Sequence, residues 1–184
     1  MAKTAAIITL PGISGSGPDH WQSHWEAREP AIVRFAPSDW DRPDLADWCR
    51  ALDAAVSATA TPPVLVAHSL SCLLMRHAAP ALAGRIAGAM LVAPPDPSGP
   101  DFPAEAASFA APPRAPFPFP TLVVASANDP YAATEHVRGE AEACGAAFVE
   151  VGALGHINAT SGLGAWPEGR RLLTAFMAGL GLRD

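Results

Sequence analysis

Six short apolar runs recur along this chain, each separated from the next by a stretch with helical spacing, and that alternation leaves few folds open to it. The runs are Ala5–Leu10, Ala31–Phe35, Pro63–Ala67, Ile86–Ala93, Thr121–Ala125 and Ala146–Val151. They are apolar on both faces and bounded by Gly, Pro or Asp, as strands buried inside a parallel sheet are. The spacing predicts helices over Asp19–Glu29, Arg42–Ala58, Leu70–Ala83, Ala133–Cys144 and Gly164–Leu180. In the second of these, Leu45, Trp48, Cys49, Leu52, Ala55 and Val56 recur at three- and four-residue steps, which is one face of a helix. Strands that alternate with helices join by right-handed crossovers, so the expected architecture is α/β, a mostly parallel sheet of about six strands with helices on both faces.

Composition narrows the function. The 184 residues fit one domain spanning 1–184, with no internal repeat. Apolar residues reach 49% against 16% charged, but much of the apolar share is alanine, which suits close helix packing. No apolar run approaches the ~18 residues a bilayer span needs. Ala5–Leu10 stops at Pro11 and is too short for a secretory leader, so it reads as a first strand of a cytoplasmic protein. The net charge of −6 comes without a basic stripe; Arg34, Arg42, Arg50, Arg76 and Arg85 are scattered, which argues against nucleic acid as a partner, and no membrane partner is expected either. Cys49, Cys72 and Cys144 lack C-x-x-C spacing and read as small buried hydrophobes, with no metal site among them.

Chemistry enters at strand ends. In Val64-Leu65-Val66-Ala67-His68-Ser69-Leu70-Ser71-Cys72 an apolar strand breaks at a serine and resumes with helical spacing. That is the sequence form of a nucleophile elbow, in which a sharp turn crowds the residues two before and two after the serine. The usual glycines are replaced here by Ala67 and Ser71, both small. A serine hydroxyl is a weak nucleophile at neutral pH and needs a base to take its proton. His156 follows the sixth run on a loop that carries Gly152 and Gly155, and Asp129 follows the fifth in Asn128-Asp129-Pro130. Loops beyond the carboxyl ends of parallel strands are where such folds keep their sites, and Ser…Asp…His is the chain order of α/β-hydrolases. Asp96, after the fourth run, is a second candidate carboxylate. For a developing oxyanion the candidate donors are the backbone N–H groups of Leu70, next to the serine, and Ile13, in the glycine-rich loop 12–17. That loop lacks the lysine and the spacing of a phosphate cradle.

The block Gly155-His156-Ile157-Asn158-Ala159 through Ser161-Gly162-Leu163-Gly164 to Trp166-Pro167-Glu168-Gly169 resembles the C-terminal part of the RBBP9/YdeN family of small serine hydrolases. Asp19-His20-Trp21 with Trp25, Asp39-Trp40 with Pro43 and Trp48, and Asp129-Pro130 resemble it too. The resemblance implies a compact α/β-hydrolase core without a separate cap domain and a triad on Ser69, Asp129 and His156. It also implies esterase-like or aminopeptidase-like hydrolase activity. Together the residues and the resemblance lead us to expect cleavage of an ester, thioester or amide of a small acyl substrate, with no cofactor. The name-giving member's L-x-C-x-E motif is absent, since Leu70-Ser71-Cys72-Leu73-Leu74 ends without glutamate. A non-catalytic binding module and an acyltransferase are the alternatives.

The remaining features have plainer readings. His20 and His24 are expected outside a Trp21–Trp25 packing edge, and His68 is expected to pack away from the serine. His77 and His136 are expected to face solvent. Trp40 and Trp166 either border an acyl pocket or, for Trp166, anchor the helix that starts at Pro167. The stretch from Pro94 to Pro120 carries ten prolines and is expected to wall the pocket.

Overall fold

The computed structural model describes residues 3–183. The chain runs β1 (Lys3–Thr4), β2 (Ile7–Leu10), α1 (Trp21–Arg28), β3 (Ile32–Arg34), α2 (Leu45–Ser57), β4 (Val64–His68), α3 (Leu70–Leu82) and β5 (Gly88–Val92). It continues through β6 (Thr121–Ala125), α4 (Thr134–Ala143), β7 (Ala147–Glu150), α5 (Pro167–Gly179) and β8 (Leu182–Arg183). Every expected strand and helix is found, with boundaries moved by a few residues. The main sheet has six strands, all parallel, in the order β3-β2-β4-β5-β6-β7.

Side chains of the central strands divide by the period of two. Ile8, Leu10, Leu65, Ala67, Ala89, Leu91, Val123 and Ala125 join one core layer. There they meet Trp48, Leu52 and Val56 of α2, the apolar side of α3, and Val137 and Ala141 of α4. Ile7, Val64, Val66, Met90, Val92, Leu122 and Val124 face the opposite layer with Trp21 and Trp25 of α1 and Leu173 and Met177 of α5. Each fully buried Leu or Val in these layers contributes about 1.5–3 kcal/mol. At the edges the expectation of strands apolar on both faces fails: Val33 of β3 is 53% exposed, and Ala147 and Glu150 of β7 face solvent. An edge strand has one neighbour instead of two, which leaves part of each open to water.

Two short features escaped the sequence pattern. β1 and β8 form a separate parallel pair, Lys3 opposite Leu182, too short to show any period. A short 3-10 helix, Ala104–Phe109, lies inside the proline-rich segment and sends Ala106 and Phe109 into the core. Among the described residues no helix is long and apolar enough to cross a membrane.

Topology places the site. From β2 the chain moves outward to β3, then crosses back so that β4, β5, β6 and β7 build in the other direction. The loops leaving β2 and β4 therefore diverge and open a crevice at their carboxyl ends.

Trp166 fixes α5 on the sheet. It precedes Pro167 with φ +41°, is 1% exposed, and its ring meets Trp21 edge-on at 5.2 Å and lies parallel to Trp25 at 6.4 Å. This is the anchoring reading of Trp166. A Cβ on Gly169 would overlap the Trp166 ring. Gly→Ala in a helix normally gains up to ~1 kcal/mol, but Gly169→Ala is expected to lose about 1–3 kcal/mol through overpacking. Urea unfolding checks the sign, and an upward shift of the midpoint would contradict this packing.

Candidate active site

Strand β4 ends at His68, and Ser69 turns the chain straight into α3 with φ +54° and ψ −122°. A residue with a Cβ rarely occupies that region, and holding it there costs roughly 1–3 kcal/mol. Two backbone hydrogen bonds hold the turn: Ser69 N–H donates to Val92 O (3.0 Å), and Ser69 O accepts from Cys72 N–H (2.8 Å). Small neighbours make room for it. A Cβ on Gly12 would stand 2.8 Å from Ser69 Cβ, so the β2 loop approaches this closely because residue 12 is glycine. Ser71 fits where glycine is usual: its side chain is fully buried, and its hydroxyl donates to Pro11 O at 2.5 Å.

His156 arrives from the other side of the crevice. Gly152 (φ +80°) and Gly155 (φ +60°) fold the loop after β7 back over the sheet. Side chains of the β6 loop catch it there, with Leu154 N–H donating to Ser126 Oγ (2.9 Å) and Gly155 N–H to Asn128 Oδ1 (2.7 Å). Trp21 Nε1–H donates to Ile157 O at 2.8 Å, and His68 Nε2–H donates to His156 O at 3.0 Å.

The three side chains then line up. His156 Nε2 is 2.8 Å from Ser69 Oγ, and His156 Nδ1 is 2.9 Å from each oxygen of Asp129. The Asp129 side chain is 4% exposed, and its Oδ1 also accepts from Tyr131 N–H at 2.9 Å. A carboxylate only accepts, so the network assigns the imidazole proton to Nδ1 and leaves Nε2 to accept from the serine hydroxyl. Asp96, the other carboxylate considered, lies 3.6 Å from His136 instead.

Ser69 opens into a cavity of about 270 Å³ walled by Ile13, Leu70, Pro95, Phe102 and Tyr131, with His156 at its rim. The proline-rich segment supplies Pro95, Phe102 and Pro103, so part of it is a wall, as expected. Trp40 does not border this cavity; it packs on Phe35 and Trp48. The N–H groups of Ile13 and Leu70 both belong to residues lining the cavity, and among the described residues neither has a protein acceptor. No group of three His, Cys, Asp or Glu that could hold a metal ion occurs among the described residues.

Comparison with known proteins places this arrangement. Residues 7–175 match a family model described as serine hydrolase. A protein of Pectobacterium atrosepticum described as a YdeN-like hydrolase is 34% identical, with a TM-score of 0.86 over 96% of this chain and 92% of its own. The ydeN gene product of B. subtilis shares the fold at 21% identity, with a TM-score of 0.77 over 95% of this chain and 100% of its own. Esterase 2 of Thermogutta terrifontis shares the fold at 16% identity, with a TM-score of 0.70 over 99% of this chain and 85% of its own. Among curated proteins none matches. The chain belongs to the serine hydrolase family and has the α/β-hydrolase fold.

Several side groups depart from expectation. His20 is not outside the tryptophan edge; it is 4% exposed and caps α1, its Nδ1 accepting from Gln22 N–H at 3.2 Å. His68 also is buried, and its ring meets that of His20 at 4.8 Å and that of His156 at 5.1 Å. His77 donates to Phe109 O at 3.2 Å, and His136 faces Asp96, so neither is simply solvated. Cys72 and Cys144 are buried, as expected, and only Cys49 departs in being half-buried; all three are free thiols.

The buried histidines carry a pH dependence. Burial, and then the Arg34 guanidinium, push the His20 pKa down from 6.5 to about 4. Burial also drives His68 well below 6.5. Both are neutral in the fold, so between these lowered values and ~6.5 the unfolded chain binds more protons and stability rises with pH. His20 alone contributes up to about 3 kcal/mol across pH 4 to 6.5. Urea unfolding across that window is expected to show the rise. His20→Asn keeps a capping oxygen but cannot titrate, and is expected to flatten the slope by up to one proton.

Proposed function

We propose that this enzyme cleaves an ester, thioester or amide of a small substrate through an acyl-Ser69 intermediate. The observation that carries the proposal is the unbroken line from Asp129 through His156 to Ser69, at 2.9 and 2.8 Å, ending at a serine in a strained turn. In the acylation step the Ser69 oxygen attacks the substrate carbonyl carbon while its proton passes to His156 Nε2. The carbonyl π pair moves to oxygen. As the tetrahedral intermediate collapses, the bond to the leaving group breaks and the leaving group takes the proton from His156. Water then attacks the acyl-serine with the same base, releasing acid and restoring the serine hydroxyl.

Each partner has a defined task. Asp129 holds the imidazole with Nδ1 protonated and stabilises the imidazolium that forms, without taking the proton itself. The N–H groups of Ile13 and Leu70 are the proposed oxyanion donors, each worth about 3 kcal/mol of barrier. Both peptides carry N–H groups without protein acceptors beside the serine, and Leu70 opens a helix whose dipole favours negative charge there. Tyr131, its ring 4.5 Å from that of His156, lines the same cavity.

Steady-state hydrolysis of p-nitrophenyl acetate, with circular dichroism as a fold control, tests the assignment. Ser69→Ala is expected to abolish turnover while leaving the fold intact. Asp129→Asn presents an amide where the imidazole needs an acceptor and is expected to lower kcat by about 10⁴. A loss below tenfold would mean that another group orients His156.

A further inference from the structure

Ser71 departs from the glycine usual at the second position after an elbow serine, and its hydroxyl makes a bond that glycine could not. We infer that Ser71 is a positioning residue that locks the Ile13 oxyanion donor to the nucleophile's own helix; the inference rests on the acyl-serine reading above. Near the start of a helix, a serine hydroxyl has local backbone partners within reach. Ser71 instead donates to the carbonyl of Pro11, 60 residues away in sequence, at 2.5 Å and with its side chain fully buried.

Two peptide planes lead from that bond to the Ile13 N–H, and the bond acts on the first of them. The Pro11 carbonyl, the Gly12 N–H and Gly12 Cα belong to one rigid unit, so holding the oxygen restrains where Gly12 Cα lies. Gly12 Cα is the atom that closes on Ser69, where an added Cβ would stand 2.8 Å from Ser69 Cβ and 3.3 Å from Oγ. In the next plane, Gly12 O accepts from Gly15 N–H at 3.1 Å. A trans peptide points its N–H opposite its C=O, so the Ile13 N–H is turned away from Gly15. Among the described residues it has no protein acceptor. The second plane is held within the loop itself, whereas the first is held from α3 by Ser71. Three consecutive residues thus supply the nucleophile (Ser69), one donor (Leu70) and the clamp on the other donor's loop (Ser71).

A hydroxyl that merely satisfied a buried carbonyl would matter for stability alone; a clamp on an oxyanion donor matters for the transition state. The test compares Ser71→Ala and Ser71→Gly with wild type in kcat and KM for p-nitrophenyl acetate. It also measures inhibition by a trifluoromethyl ketone, which adds to Ser69 and places an oxyanion in the hole. Both variants are expected to lose about tenfold in kcat with KM within twofold, since loosening a donor loop misplaces the group without removing it. Ketone affinity is expected to fall by the same factor as kcat/KM. Ser71→Thr, which keeps the hydroxyl, is expected to lose less than either. Wild-type kcat in both variants, a loss confined to KM, or an unchanged ketone affinity would overturn the inference. Unfolding of both variants would overturn it too, because the role would then be structural. Failure of the acyl-serine reading looks different: a folded wild type would itself neither turn over the ester nor bind the ketone.

Discussion

The close approach of Gly12 to the strained turn at Ser69 is the constraint around which the rest of this structure is arranged. The turn is unfavourable by roughly 1–3 kcal/mol, a sizeable part of the 5–15 kcal/mol that holds a typical domain together. It persists because its flanks cannot move. Val64 to Ala67 are wholly buried, β4 is paired on both sides, and Val92 of the neighbouring strand accepts the Ser69 N–H. Bringing β2's loop against the serine demands a glycine at residue 12, and that contact puts the Ile13 peptide beside Ser69. Local strain is thus carried by the burial of a central strand.

The histidine side of the site depends on contacts made far from it in sequence. The α1 tryptophans cover one face of the sheet, and the Trp21 indole reaches across to the carbonyl of Ile157. His68 bonds the carbonyl of His156 itself, with His20 packed behind it. The β6 loop holds the backbone before His156 through Ser126 and Asn128, and it also carries Asp129. The proposed base is therefore oriented through its ring by one residue and through its backbone by several. Burial keeps His20 and His68 neutral, so these supports add no positive charge next to the imidazolium that the proposed mechanism forms.

Much of this was legible in the sequence, for identifiable reasons. Short runs apolar on both faces belong to central parallel strands, and β4, β5 and β6 lie where the runs put them; the C-terminal block around His156 pointed to the family. Periodicity failed where an element was too short to have any, as in β1 and β8, and at β3 and β7, where edge strands face water on one side. Partners distant in the chain were also hidden. Nothing in Ala67-His68-Ser69-Leu70-Ser71 says that the last hydroxyl meets Pro11, or that His68 meets the His156 carbonyl. The sequence offered both Asp129 and Asp96 to His156, and only the path of the loops brings Asp129 to it and Asp96 to His136. His20 could have been suspected of capping, since it stands immediately before Trp21 at the start of a helix, but histidine is a rare cap and its inward turn has no local signal.

The central claim is that Ser69 is a nucleophile activated by His156. Reaction of the intact enzyme with a fluorophosphonate, followed by digestion and mass mapping, tests it most directly because it depends on no knowledge of the natural substrate. The account predicts one phosphonyl adduct on the peptide carrying Ser69, formed in wild type and lost in His156→Ala while that variant remains folded. An unlabelled wild type, an adduct on another residue, or undiminished labelling of Ser69 in His156→Ala would contradict it.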